Sequence, residues 1–361
     1  MSLLYLDSFD SYATGDGPLR WDMGTSDYIN IESSDPYTLR QDSKTLYYRG
    51  TNVNQGKKRF LSGEVRDELI VGYRHAYLHH QDIDGVMISF QNTSGSQLAF
   101  RAYEDGSISA WRGSIVNTRL ADSKADILKN DSWDTIEFKV KIHNSTGYWY
   151  IRVNGELVFS GENYDTQYQS SGGIDRIGIG GLGGGNQDHA YEDLYICDLS
   201  GEFHNDWVNG LRIDCLHPNA NGTNTDWTPD SGDNYDRVND GGNVDLGSSY
   251  VYSLTDGHVD TYLVDDLETL SGETTIEGVQ VSTYVKDDEI SGEIIPTFYD
   301  GTKYSGSGES TLQWLGMSEI LQDDEEYYFK GAYCWELDPG GGAWTQSTIN
   351  SGEFGFELNI P

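Results

Sequence analysis

Residues 135–161 read TIEFKVKIHNSTGYWYIRVNGELVFSG. In the first eight, Ile136, Phe138, Val140 and Ile142 alternate with Glu137, Lys139 and Lys141. A β-strand turns successive side chains to opposite faces, so this period of two predicts an antiparallel strand with one face buried and the other in water. Asn154-Gly155 then falls between two apolar-alternating runs. Both residue types accept the positive φ of a type I′ turn, so YWYIRVNGELVFSG (148–161) is expected to be a hairpin. The stretch AFRAYEDGSISAWRG (99–113) repeats the arrangement, with Asp105-Gly106 as its expected turn.

The same alternation extends in both directions, through ELIVGYRHAYL (68–78) and GVMISFQ (85–91). It restarts beyond residue 203 in VNGLRIDCL (208–216), TYLVDDL (261–267), IEGVQVSTYVKD (276–287), IIPTFYDG (294–301), EEYYFKGAYCWEL (325–337) and EFGFELNI (353–360). The polar, glycine-rich stretch 217–248 is expected to hold long loops. Strand-length runs separated by turn signals, without heptads, helical patterns or a fixed repeat, predict an all-β chain. Its 361 residues are read as two consecutive antiparallel β-sandwich domains, 1–202 and 203–361, with the boundary in LSGEFHND (199–206).

Charge separates the halves. Residues 1–202 carry 29 Asp and Glu against 18 Lys and Arg (−11), and residues 203–361 carry 30 against 5 (−25), giving the chain's net −36. That balance argues against nucleic acid, whose binding rests on neutralising phosphates, and against an anionic membrane surface. The acidic half reads as a solvated surface or as oxygen ligands for a divalent cation such as Ca²⁺. No apolar run is long enough for a transmembrane helix. Met1–Asp7 lacks the basic stretch and apolar core of a secretory signal. Cys197, Cys215 and Cys334 form neither a disulfide framework nor a metal-type spacing, and read as small apolar residues of a chain folded in a reducing compartment.

Gly178, Gly180 and Gly183 in IGIGGLGGGNQDHAYEDLYICD (177–198) spell G-x-G-x-x-G. A dinucleotide site needs a helix after the glycines, to aim free N–H groups at the pyrophosphate. Here Ala190, Glu192, Leu194 and Ile196 alternate with Tyr191, Asp193, Tyr195 and Cys197, so a strand is expected and no cofactor is assigned.

The combination of NDSWDTIEFKVKIHNSTGYWYIRVNGELVFSGENYDTQ (130–167), IDRIGIGGL and AYEDLYICD resembles the laminin-G/concanavalin-like sandwiches of bacteriophage virion proteins, and LDSFDSY (6–12) fits their opening strand. The second half resembles a phage jelly-roll-like C-terminal module in TDWTPDSGDNYDRVND (225–240), SSYVYS (248–253), IEGVQVSTYVKDD (276–288) and WELDPGGGAWTQSTINSGEFGFEL (335–358). The resemblance implies a structural component of the virion, in the tail or adsorption apparatus or decorating the capsid. Its partners would be other virion proteins, itself as a homo-oligomer (a trimer by analogy) and a host-surface polysaccharide. A stand-alone lectin and a polysaccharide depolymerase are the alternatives.

No catalytic residue is nominated. A retaining glycosidase needs two carboxyl groups about 5–5.5 Å apart, and the sequence holds no E-x-D-x-x-E triplet. Glu64, Asp67 and Glu68 have another spacing, and Glu192-Asp193 is a neighbouring pair expected to point to opposite faces. His75, His79 and His80 form the one histidine cluster, but zinc needs converging ligands, so exposed or hydrogen-bonded side chains are the plainer reading. Sandwich lectins stack loop aromatics on sugar rings, which nominates Trp111, Trp227, Tyr235 and Trp344, with Trp335 as a further candidate. Asp226, Asp230 and Asp233 could hold hydroxyls or Ca²⁺, although SGDNYDRVNDGG (231–242) lacks the calcium-loop order. Aromatic side chains also build cores and subunit interfaces, the competing reading for each ring.

Overall fold

A computed structural model describes residues 2–12, 14, 21, 29–33, 39, 43–49, 56–59, 65–77, 85–129, 132–170, 172–180, 188–240, 245, 247–268, 275–286, 293–305 and 328–360. They form two units, one running to Ile213 and the other from Asp214. In chain order the strands of the first are β1 (Leu3–Asp7), β2 (Ile29–Glu32), β3 (Thr45–Arg49), β4 (Gly56–Arg59), β5 (Glu68–Tyr77), β6 (Gly85–Asn92), β7 (Gly95–Ala102), β8 (Ile108–Arg112), β9 (Thr118–Asp122), β10 (Trp133–Lys141), β11 (Gly147–Val153), β12 (Glu156–Tyr164), β13 (Arg176–Ile179) and β14 (Asp188–Cys197). They pair as an eight-stranded sheet, β12-β11-β10-β5-β14-β3-β2 with β1 also on β14, and a six-stranded sheet, β4-β13-β6-β7-β8-β9.

The alternation of 135–142 sets the core of this sandwich. Ile136, Phe138, Val140 and Ile142 are at most 2 % exposed. Phe138 meets Phe100 at 5.3 Å and Phe90 at 6.4 Å between ring centroids, which joins the inner faces of the two sheets. Burying side chains of this size stabilises the fold by about 1.5–3 kcal/mol each. The expected hairpin is β11–β12, with Asn154 at φ 52° and Gly155 at φ 81° between paired Val153 and Glu156. The Asp105-Gly106 turn differs. Only Gly106 has positive φ (73°), and β7 and β8 are joined by a loop closed by Gly106 N–H to Tyr103 C=O and Tyr103 N–H to Ser107 C=O. That is a type I turn with a glycine bulge, which an Asp at its centre suits as well as a type I′ turn does.

The glycine run divides as its flanks suggest. β13 belongs to the six-stranded sheet and β14 to the eight-stranded one, so the chain between them changes sheets. Residues 181–187, Gly183 among them, lie outside the described residues, and β14 is a strand where a dinucleotide site would need a helix.

Glu137, expected in water, is fully buried. The cover comes from residues 203–213, which lie on the outer face of the eight-stranded sheet as part of the first unit. The Asn209 N–H and the Tyr195 hydroxyl donate to Glu137 Oε1 at 2.9 and 2.5 Å, Lys139 pairs with Asp206 at 3.1 Å, and the Arg152 guanidinium lies 4.3 Å from the Trp207 ring centroid. The units divide between Ile213 and Asp214, beyond the boundary expected in LSGEFHND (199–206).

The second unit contains β15 (Pro218–Thr225), β16 (Thr228–Pro229), β17 (Val251–Tyr252), β18 (Val259–Val264), β19 (Val279–Lys286), β20 (Glu293–Tyr299), β21 (Lys303–Ser305), β22 (Tyr328–Trp335) and β23 (Glu353–Asn359). A five-stranded sheet, β15-β18-β23-β20-β21, accompanies the two-stranded ribbons β19–β22 and β16–β17, all antiparallel. Phe298 and Phe354 of the large sheet meet Trp335 of β22 in one core cluster. One helical turn, α1 (Gln346–Ser351), adds Ile349 to that core; Thr345 caps it by accepting from the Thr348 N–H. The apolar pattern does not announce a helix of six residues, because a single turn presents only one core position. Among the described residues no helix is long and apolar enough to cross a membrane.

Candidate functional site

The hairpin 99–113 has two faces of opposite chemistry. Leu98, Phe100, Ala102, Ile108 and Ala110 point into the sandwich and are fully buried. By the period of two, Ala99, Arg101 and Tyr103 along the first arm, and Ser109 and Trp111 along the second, share the opposite, outer face. Arg119 of β9 pairs in register with Trp111 and joins them. The Trp111 indole N–H donates to Ser109 Oγ at 2.6 Å, and the Ser109 hydroxyl donates to the Tyr103 oxygen at 3.1 Å. Buried Val86, Ala99 and Ile115 pack against Trp111 and hold its plane.

Two guanidiniums complete the patch. Arg101 and Arg119 each place Cζ 5.1 Å from the Tyr103 ring centroid, and Arg119 lies 5.7 Å from that of Trp111. Asp122 accepts from Arg119 Nε at 2.5 Å, yet the Arg119 side chain remains 45 % exposed. A guanidinium over an aromatic ring is attracted by the ring face, and Arg119 spends both Nε and Nη2 on Asp122 at 2.5 Å. The result is a rigid aromatic surface edged by two guanidiniums, partly open to solvent at Trp111, Tyr103 and Arg101 as well as at Arg119. Trp111 is legible in the sequence as a candidate ring, whereas Arg101, Tyr103 and Arg119 are not nominated by residue type alone. A signal for two of them exists, because the alternation that buries Leu98, Phe100 and Ala102 exports Arg101 and Tyr103.

The other nominated aromatics are placed apart from this patch. Trp344 is 3 % exposed and Trp335 7 %, both in the second unit's core, and the Trp344 indole N–H donates to the Trp335 carbonyl at 3.2 Å. Stacking on a sugar needs an open ring face, so both are corrected to core residues. Trp227 and Tyr235 are partly exposed. Trp227 donates to the His258 carbonyl at 3.2 Å, and the Tyr235 N–H donates to Asn221 Oδ1 at 2.8 Å. Asn234 joins their loop to the sheet, donating to the Trp227 carbonyl and to buried Asp260 at 2.9 Å. Tyr262 also donates to Asp260, and burial pushes that carboxyl up to about 6.

The loop acids have local partners. Asp226 Oδ2 accepts from the Val259 N–H at 3.1 Å, Asp230 lies 3.9 Å from the Arg237 guanidinium, and the Asp233 carbonyl accepts from the Asp236 N–H at the short helical turn 235–237. Among the described residues no three His, Cys, Asp or Glu side chains converge as metal ligands would.

The histidine cluster resolves differently from its spacing. His79 and His80 lie outside the described residues, whereas His75 on β5 is buried and its Nε2 sits 3.0 Å from Nδ1 of His189 on β14. Tyr73 and Tyr77 meet the pair edge-on, and Tyr191 is tilted against His75 and parallel to His189. Burial lowers both imidazoles, His189 to about 3, so the pair is neutral at physiological pH. His189 lies too far along the chain for sequence spacing to link it to His75.

Of the carboxylate candidates, Glu192 and Asp193 are buried. Glu192 Oε1 accepts from the Thr45 hydroxyl at 2.7 Å and the Ser43 hydroxyl at 3.1 Å; Asp193 Oδ1 accepts from the Ile213 N–H at 2.9 Å. Glu68 pairs with Lys141 at 2.5 Å, Asp67 is exposed, and Glu64 lies outside the described residues. Cys197 and Cys334 are buried, Cys215 is half-buried, and none of the three forms a disulfide.

No family model matches the chain, and no curated protein matches it. Solved structures do. A galectin-like-fold protein of unknown function from Bacillus subtilis matches at 14 % identity and TM-score 0.36, over 55 % of this chain and 96 % of the other. The alginate lyase Aly36B, crystallised with an alginate trisaccharide, matches at 12 % identity and TM-score 0.36, over 54 % and 97 %. A carbohydrate esterase from the Shiga toxin-encoding bacteriophage phi24B matches at 12 % identity and TM-score 0.34, over 49 % and 89 %.

Proposed function

We propose that this chain is a non-enzymatic structural protein of a bacteriophage virion whose first sandwich contacts host-surface polysaccharide. The observation that carries the glycan reading is the partly exposed Trp111–Ser109–Tyr103 array, with two guanidiniums over its rings and a buried apolar bed beneath it. Aromatic rings offer sugars an apolar surface, and hydrogen-bond donors fixed beside them select hydroxyl or acid groups. The virion reading rests on the sequence resemblance in both halves, which also motivates a homo-oligomer, a trimer by analogy, with other virion proteins as neighbours.

A glycan array probed with the full chain, with and without Ca²⁺, tests the binding. The wild type is expected to bind a subset of polysaccharides, and Trp111→Ala to lose them while keeping its far-UV circular dichroism. A flat wild-type array would leave a structural role alone. Reconstruction of intact particles tests the virion assignment, with this chain expected at a symmetric position in the tail or on the capsid.

A further inference from the structure

In the second unit, β16 and β17 form a ribbon in which Thr228 pairs with Tyr252 and Pro229 with Val251. The Asp230 N–H donates to the Tyr250 carbonyl at 3.0 Å, so the pairing runs on to Asp230 and Tyr250. Residues directly opposite one another share a face, as does every second residue along a strand. Tyr250, Tyr252, Thr228 and Asp230 therefore share one face of the ribbon. Val251 and Ser253 alternate with them and are half-buried, and the Ser253 hydroxyl lies 3.0 Å from His258 Nδ1. Tyr250 is 48 % exposed, Tyr252 47 % and Leu254 56 %, and the two rings are tilted with centroids 6.2 Å apart. Of the eight large apolar side chains exposed among the described residues, these three fall within five residues of chain. Scattered single residues of this kind are ordinary, whereas a contiguous group marks a contact surface.

We propose that this ribbon docks a cationic segment of a partner protein, whose Arg or Lys side chains lie over Tyr250 and Tyr252. Charge complementarity selects the occupant. Residues 226–256 hold seven Asp against one base, Arg237, a net of −6 (one base less seven acids). Asp245 is fixed just ahead of the tyrosines, accepting from the Ser249 N–H at 3.1 Å and the Ser249 hydroxyl at 2.8 Å. Arg237 shows how a guanidinium is met in this stretch: its Nη2 lies 2.6 Å from Asp236 and its Nε 3.9 Å from Asp230. One base leaves most of that acidity unanswered within the stretch. A tyrosine face attracts a guanidinium or ammonium, and carboxylates around it hold the same charge from the side. A second copy presenting the same face would set net −6 against net −6, which opposes self-pairing here. The same repulsion turns away acidic polysaccharide and nucleic acid.

The test titrates the immobilised full chain with three dodecapeptides, of alternating Arg and Ser, Glu and Ser, or Gly and Ser. Titrations run at about 50 and 150 mM NaCl, between which screening of exposed charges changes. The Arg-bearing peptide is expected to bind and to weaken with salt, and the other two to stay unbound. Replacing both rings, Tyr250→Ser with Tyr252→Ser, should cost at least about fivefold in affinity, the scale of two cation–π contacts. Tyr250→Phe with Tyr252→Phe keeps the ring faces and should hold the affinity within about twofold. None of these substitutions changes charge, so bulk attraction to an acidic chain would be unmoved by them. All replace exposed side chains, and an unchanged melting temperature verifies the fold. Equal affinity in the serine variant would reduce the binding to bulk charge and overturn the site. Equal binding of the Glu- or Gly-bearing peptide would overturn the cationic class, and no binding of the Arg-bearing peptide would overturn the proposal outright. An oligomer in sedimentation velocity that the serine variant dissolves would make the face a self-contact and overturn the partner.

Discussion

The two units are expected to respond to acid in opposite directions, because burial lowers two histidines in the first and raises two carboxyls in the second. In the first, burial holds His189 at about 3 and lowers His75 in the same direction. In the second, burial raises Asp260 to about 6, and burial with the nearby Asp245 raises Asp240 to about 6. A histidine depressed in the fold favours the folded state fully above its unfolded value near 6.5, and that stability is lost as pH falls toward 3. A carboxyl raised in the fold opposes folding above about 6, and the penalty is relieved as pH falls toward its unfolded value of 3.8. Integrating proton uptake from about pH 7 to pH 5 gives a loss of about 2 kcal/mol for the first unit from His189 alone. The same integral gives a gain of about 1 kcal/mol for the second from Asp260. Relief of charge repulsion in the acidic chain acts on both units, so the informative quantity is their difference, about 3 kcal/mol. Hydrogen exchange by mass spectrometry on the intact chain reads it, comparing core peptides of β5 and β14 with those of β18 and β23 after correction for intrinsic rates. Parallel shifts in the two units, or greater protection of β5 and β14 at about pH 5 than at pH 7, would show that these buried groups do not govern the response.

Three further outcomes follow from packing. Gly72→Ala puts a Cβ about 2.2 Å from the Tyr195 ring, which lies across β5 toward Glu137, and should cost about 1–3 kcal/mol by overpacking, read in urea unfolding. Asn234→Ala strips a donor from buried Asp260 and should lower the second unit's stability by about 1–3 kcal/mol, with an additional upward shift of the Asp260 carboxyl visible by NMR titration. Trp344→Ala opens the second unit's core at a cost of about 3–5 kcal/mol, and should leave any glycan affinity of the first unit unchanged at temperatures where both units stay folded.

What the sequence made legible followed from local periodicity. Ile136, Phe138 and Val140 declared both their strand and its buried face, and Asn154-Gly155 declared its turn, because each signal is complete within a few residues. Tertiary cover was not legible. Glu137 reads as solvent-facing until residues 203–213 lie over it, and nothing in TIEFKVKI encodes a segment so far along the chain. The same holds for His75, whose partner His189 comes from a distant strand. In the site, Trp111 was visible as a residue type, whereas its arginine setting depended on applying strand alternation to three strands at once. Trp344 shows the converse: its neighbourhood of glycines and turn residues looks like an open loop, yet a single helical turn after it leads the chain into the core.

The functional reading stands or falls on whether sugar is held on the outer face of the six-stranded sheet. A crystal structure of the full chain soaked with its tightest-binding oligosaccharide would locate it. Sugar density is expected against the Trp111 ring, beside Tyr103. Density on the eight-stranded sheet or the second unit, with Trp111 bare, would contradict that placement.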